Sequence, residues 1–121
     1  MRLKLQRIAV AALEDIKAHD IAVFDVRKLT SLYDSLVVAS ADSARQAKAL
    51  AWHVRDKLKE AGADIIGVEG EEGGEWVLVD AGSIVVHVMQ PTVRAYYNLE
   101  ELWTPPTPKR RAAAKPAAQA A

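Results

Sequence analysis

A mixed five-stranded sheet flanked by helices, an α/β or α+β sandwich, is the fold class this sequence predicts. Three observations support it. Two stretches carry apolar residues at helical spacing, five short runs are rich in β-branched residues, and helical and extended stretches interleave along 121 residues.

From Leu5 to Lys17 the apolar positions Leu5, Ile8, Ala12, Leu13 and Ile16 form the stripe of an amphipathic helix. "DIAVFDV" (Asp20 to Val26) and "SLVVASA" (Ser35 to Ala41) are short, apolar and β-branched, as buried strands are. The second helix has Ser43 and Gln46 at capping-box spacing. Its stripe is Ala47, Leu50, Ala51, Val54, Leu58 and Ala61, and Gly62 stands at its stop position. "DIIGVEG" is a short strand running into the turn-rich "GEEGGE". "WVLVDA" and "SIVVHVM" then form a hairpin, and Pro91 opens a last helix through "RAYYNLEELW", closed by Pro105 and Pro106. The predicted order is α-β-β-α-β-β-β-α.

Half of the residues are hydrophobic, enough for one domain with one core and too few for two. The absence of cysteine excludes disulfides and thiolate metal sites and suits a reducing compartment. Arg7, Glu14 and Asp15 interrupt any signal-peptide core, and no apolar run approaches bilayer length, so the cytoplasm is the expected location.

A formal net charge of zero hides a polarity along the chain. Between Ala61 and Trp103 there are eight acidic residues and one base, Arg94. The segment 104–121, "TPPTPKRRAAAKPAAQAA", has four basic residues, no acid and no large apolar group, and is expected to be a disordered tail after a domain spanning 1–103. Without the tail, 12 basic residues face 16 acidic ones, a net charge of −4 that argues against nonspecific nucleic-acid binding by the body.

With Ala81-Gly82 as a two-residue hairpin loop, Asp80 faces Ser83, Leu78 faces Val85 and Trp76 faces His87, with Met89 nearby on the same side. The other side, Val77, Val79, Ile84, Val86 and Val88, reads as core. The first side mixes a tryptophan, an aspartate, a histidine and a methionine, a composition that suits recognition. It suits equally a face covered by a helix, with Trp76 as core.

Catalytic signals are sparse. His19, His53 and His87 fall in three elements, none at metal-ligand spacing. Ser40 and Ser43 beside Asp42 read as a helix cap, and "VEGEEGGEW" lacks a phosphate-binding glycine pattern. A serine-bearing strand-to-helix junction, "ASADSARQ", followed by Asp80 on a later strand evokes nucleotidyl transfer. That chemistry wants a second carboxylate for Mg²⁺, and position 78 is Leu. No cofactor is expected.

Taken in order, "DIAVFDV", "DSLVVASADSARQAKALA", "GVEGEEGGEWVLVDAGSIVVHVMQP" and "RAYYNLEELW" resemble the ribosomal silencing factor, or Iojap-like, family over about Leu5 to Trp103. Ser83 departs from it, standing where an acidic residue is expected. The resemblance implies a nucleotidyltransferase-like fold without enzymatic activity, and a homodimer when free. It also implies binding to the large ribosomal subunit through its fourteenth protein, blocking association with the small subunit and repressing translation. On this reading the partner-binding residues are Trp76, Leu78, Asp80, His87, Met89, Tyr97 and Glu100. Leu99, Leu102 and Trp103 would pack inward, and the basic tail would add a weak contact to ribosomal RNA. The rival readings are a nucleotidyltransferase-like enzyme using Asp80 and a late large-subunit assembly factor.

Overall fold

The computed structural model describes residues 2–97. Its elements follow the expected order: α1 (Arg2–Asp15), β1 (His19–Asp25), β2 (Ser35–Ser40), α2 (Ala44–Glu60), β3 (Gly67–Glu69), β4 (Trp76–Asp80), β5 (Ile84–Met89) and α3 (Pro91–Tyr97). Leu99, Glu100, Leu102, Trp103 and the tail lie outside the described residues, as does the side chain of Tyr97.

The five strands are ordered β1-β2-β5-β4-β3. Only the central β2/β5 pair is parallel; β1/β2, β5/β4 and β4/β3 are antiparallel. A parallel pair needs a crossover, and α2 with the β3–β4 excursion supplies it.

Each helix follows from its sequence. Ser43 caps α2, its Oγ accepting from the Gln46 backbone N–H at 3.1 Å. The Gln46 side chain reaches further than a capping box requires: Oε1 accepts from the Asp42 N–H, and Nε2 donates to the Ile16 and Lys17 carbonyls. One glutamine therefore ties the end of α1 to the start of α2. At the other end Gly62 takes φ 97, a left-handed conformation that stops the helix.

Both helices lie on one face of the sheet. Leu5, Ala9, Ala12 and Leu13 of α1 and Ala47, Leu50, Ala51, Val54 and Leu58 of α2 pack on Val37, Ala39, Val77, Val79, Ile84, Val86 and Val88. The whole core side of the hairpin is buried, as its β-branched run predicts. The opposite face carries a smaller cluster, Val26, Leu36, Val38 and Val85 with Phe24, Tyr33 and Leu78, roofed by the β1–β2 connection. Among the described residues neither α1 nor α2 contributes to that cluster, and Trp76 is half-buried.

Candidate recognition face

The hairpin register differs from the expected one by two residues. Trp76 pairs with Met89, Leu78 with His87 and Asp80 with Val85. Ala81 belongs to the ladder, its N–H donating to the Ile84 carbonyl at 2.9 Å, and the loop is Gly82-Ser83. Two forces select this register. Ala81 is buried in the main core, and Gly82 supplies the positive φ (81) that the tight loop needs. Because strand side chains alternate with period two, a two-residue shift leaves every residue on its expected face.

That face can be laid out in rows. Ser40, Met89 and Trp76 form one, Val38, His87, Leu78 and Glu69 the next, and Leu36, Val85, Asp80 and Gly67 the third. Met89 is fully buried, Val85 and His87 nearly so, while Trp76, Leu78 and Asp80 are half-buried. The face thus divides into a buried floor on β5 and a half-exposed rim on β4. A recess of about 280 Å³ opens between Glu69, Gly70, Trp76 and Leu78.

Trp76 is held in a fixed pose. Its Nε1–H donates to Nδ1 of His87 at 2.9 Å, with ring centroids 5.9 Å apart and planes inclined by 48°. Burial pushes the His87 imidazole down to about 4, so it is neutral at physiological pH and its remaining hydrogen resides on Nε2. A neutral histidine can accept from an indole; an imidazolium cannot.

Asp80 has a local task as well. Its Oδ1 accepts from the Gly82 N–H at 3.0 Å, closing the hairpin turn. The register separates Asp80 from the strand-to-helix junction. Ser40 is level with Met89 and Trp76, whereas Asp80 is level with Val85 and Leu36, four residues or about 13 Å further along the strand direction and two strands across the sheet. The junction's hydroxyls are engaged too: Ser43 caps α2, and Ser40 Oγ accepts from Arg94 at 2.9 Å. The residues that evoked nucleotidyl transfer are not brought together, and no metal-binding group of three or more His, Cys, Asp or Glu occurs among the described residues.

Arg94, a lone charge in sequence, also donates to the Asp20 carbonyl and so binds α3 to the start of β1 and the end of β2. Nothing in one sequence marks it, because its partners are 74 and 54 residues away. Gln90 was equally invisible: its N–H meets the Glu75 carbonyl and its Nε2 the Gly74 carbonyl, fixing the loop that frames Trp76. Nearby, His19 donates to Asp42 at 2.6 Å and to Asp20 at 3.3 Å; the Asp42 bond first, then Asp20, raises its pKa.

The family model described as "Ribosomal silencing factor during starvation" matches residues 2–121. The chain belongs to the ribosomal silencing factor family. A "Ribosomal silencing factor RsfS" from Chromobacterium violaceum is 60% identical over 100 residues, 83% of this chain and 82% of that protein. An X-ray crystal structure of a Chromobacterium violaceum protein matches with a TM-score of 0.82 at 57% identity, covering 87% of this chain and 89% of the other. A mouse relative named "Mitochondrial assembly of ribosomal large subunit protein 1" is 34% identical over 98 residues, 78% of this chain and 43% of its own length. The silencing factors are ribosome-associated translation regulators, and the expected family and sheet architecture are both met. No helix among the described residues is long and apolar enough to cross a membrane.

Proposed function

We propose that this ribosomal silencing factor represses translation by occupying the large ribosomal subunit through its fourteenth protein, so that the small subunit cannot dock. The observation that carries this reading is the rim on β4: a half-exposed Trp76, oriented by His87, beside a recess that Glu69 also lines, with the Asp80 carboxylate further along the same rim. Oriented aromatics beside a pocket are the anchors of protein interfaces, and the acidic surround suits a basic ribosomal protein. The action is occupancy in the cytoplasm without turnover, and the free protein is a homodimer.

Co-sedimentation with separated ribosomal subunits, paired with light scattering of subunit joining, tests it. The parent should travel with the large subunit and block joining. Trp76→Ala should fold, since the side chain is only half-buried, yet bind about thirtyfold less tightly, as expected for an anchor of roughly 2 kcal/mol. Binding of Trp76→Ala at parental strength would move the interface elsewhere. A role in late large-subunit assembly is a second reading, favoured by the name of the mouse relative; it requires the protein on precursor particles.

A further inference from the structure

The outer surface of α2 differs in character from the acidic hairpin. The helix carries five basic residues, Arg45, Lys48, Arg55, Lys57 and Lys59, against two acids, Asp56 and Glu60. Four of the five bases fall at positions 45, 48, 55 and 59, and Trp52 stands between them. At 3.6 residues per turn these five positions occupy about 80° of the helix circumference and extend about 21 Å along it. The buried stripe of Ala47, Leu50, Ala51, Val54 and Leu58 lies on the other side, so the basic stripe faces outward.

Its chemistry is specific. Arg45, Trp52 and Lys59 are exposed, Trp52 at 37%, and Lys48 and Arg55 are half-exposed. Arg55 stacks on the indole, its Cζ 4.1 Å from the ring centroid, and is held there by Asp56 at 2.7 Å. Among the described residues no carboxylate pairs with Arg45, Lys48 or Lys59. Lys57, off the stripe, pairs loosely with Glu60.

We infer that the outer stripe of α2, Arg45, Lys48, Trp52, Arg55 and Lys59, is an RNA-binding surface. The cations match a phosphate chain, and the stacked tryptophan and arginine offer a platform for an unpaired base. An acidic peptide would use the cations and leave the platform idle. A membrane surface would need further large apolar groups beside Trp52, and the exposed positions flanking the stripe are Ala49 and Asp56, while Ala44 lies against Gly74. The net negative charge of the body does not oppose this, because residues 1–60 carry eleven bases against eight acids, the excess of acid lies in 61–103, and four of the bases of α2 share one stripe. The molecule would meet a basic protein with its hairpin and RNA with its second helix.

The test uses the full chain and a fluorescein-labelled twelve-nucleotide single-stranded RNA, read by anisotropy at 50 and 200 mM KCl. Four phosphate contacts predict an affinity loss of about fiftyfold between the two salts. Lys48→Glu with Lys59→Glu should weaken binding at least tenfold at 50 mM and flatten the salt slope. Trp52→Ala should weaken it about tenfold with the slope unchanged. Trp76→Ala should bind RNA like the parent, which separates this surface from the hairpin. The inference is overturned by an absence of RNA binding at 50 mM KCl. It is equally overturned if the folded double variant binds like the parent, which would assign binding to the tail, or if polyglutamate of equal charge or anionic vesicles bind as tightly as the RNA.

Discussion

The indole N–H of Trp76 lies 2.9 Å from Nδ1 of His87, and the imidazole that accepts it is buried and neutral. The pose of the recognition tryptophan therefore depends on a protonation state. His87 has a folded pKa of about 4 against an ordinary 6.5, so between these values the unfolded chain binds the extra proton. Its contribution is full above pH 6.5 and is lost as pH falls towards 4, by roughly 3 kcal/mol. The raised pKa of His19 acts in the opposite sense, its contribution fading as pH rises. Urea unfolding of the parent and of His87→Asn at pH 7, 5.5 and 4.5 isolates the term. Asparagine Oδ1 replaces the Nδ1 acceptor without titrating, so the variant should lose most of the acid sensitivity. An unchanged pH slope would show that His87 is not the group responsible.

Gly70 frames the same face from the β3–β4 turn. Its φ is 82, and a Cβ there would come within 2.1 Å of the Trp76 backbone carbonyl oxygen. Positive φ alone costs a side chain about 1–3 kcal/mol, and the contact adds to that because backbone cannot step aside cheaply. Gly70→Ala should therefore destabilise the protein by at least about 2 kcal/mol and shift the assigned Trp76 indole resonance. Gly73→Ala is the control, since nothing lies within 4 Å of its Cβ position and its φ is not positive. Equal melting of the two variants would refute the close-approach account.

The sheet, its order of elements and the helix caps were legible because they are local. Ser43 with Gln46, Gly62 and the β-branched run of β5 each announce themselves within a few residues. The faces of the hairpin were legible for the same reason, and survived a register shift because the pleat repeats every two residues. The register itself was not, since it depends on Ala81 preferring the core to the turn. Illegible too were contacts joining distant positions: Gln46 to the end of α1, Arg94 to Ser40, and Asp80 separated from the junction that seemed to invite it. A two-residue error in pairing or a crossover strand decides such neighbours, and neither is written in composition or spacing.

The tail gives a direct prediction from composition. Residues 104–121 offer no large apolar group to bury, and their prolines oppose helix continuation. A chain ending at Trp103 should melt within about a degree or two of the full protein, because burial supplies most of folding stability and none is removed. A marked drop in Tm would place part of the segment in the packed domain.

The charge of the hairpin face tests the docking mechanism most directly, and Asp80 allows its two roles to be separated. Its carboxylate holds the Gly82 N–H, so a plain charge reversal would disturb the turn as well as the surface. Asp80→Asn keeps an Oδ1 acceptor at the same place while removing the charge; Asp80→Arg removes the acceptor and reverses the charge. If attraction to a basic ribosomal protein drives docking, Asp80→Asn should retain parental stability but weaken large-subunit binding. Asp80→Arg should weaken it further, by about 2–5 kcal/mol in total for a desolvated pair and much less for a rim contact. The loss for Asp80→Asn should shrink as salt rises, because screening at 0.15 M reaches about 8 Å and acts on a half-exposed group. Glu69, on the same face one row away, should respond to Glu69→Lys in the same direction without touching the turn. Binding and subunit joining measured at low and moderate salt, after circular dichroism confirms folding, decide the matter. Parental binding by folded Asp80→Asn and Glu69→Lys alike would remove acidic complementarity from the mechanism and leave Trp76 to anchor the interface by packing alone.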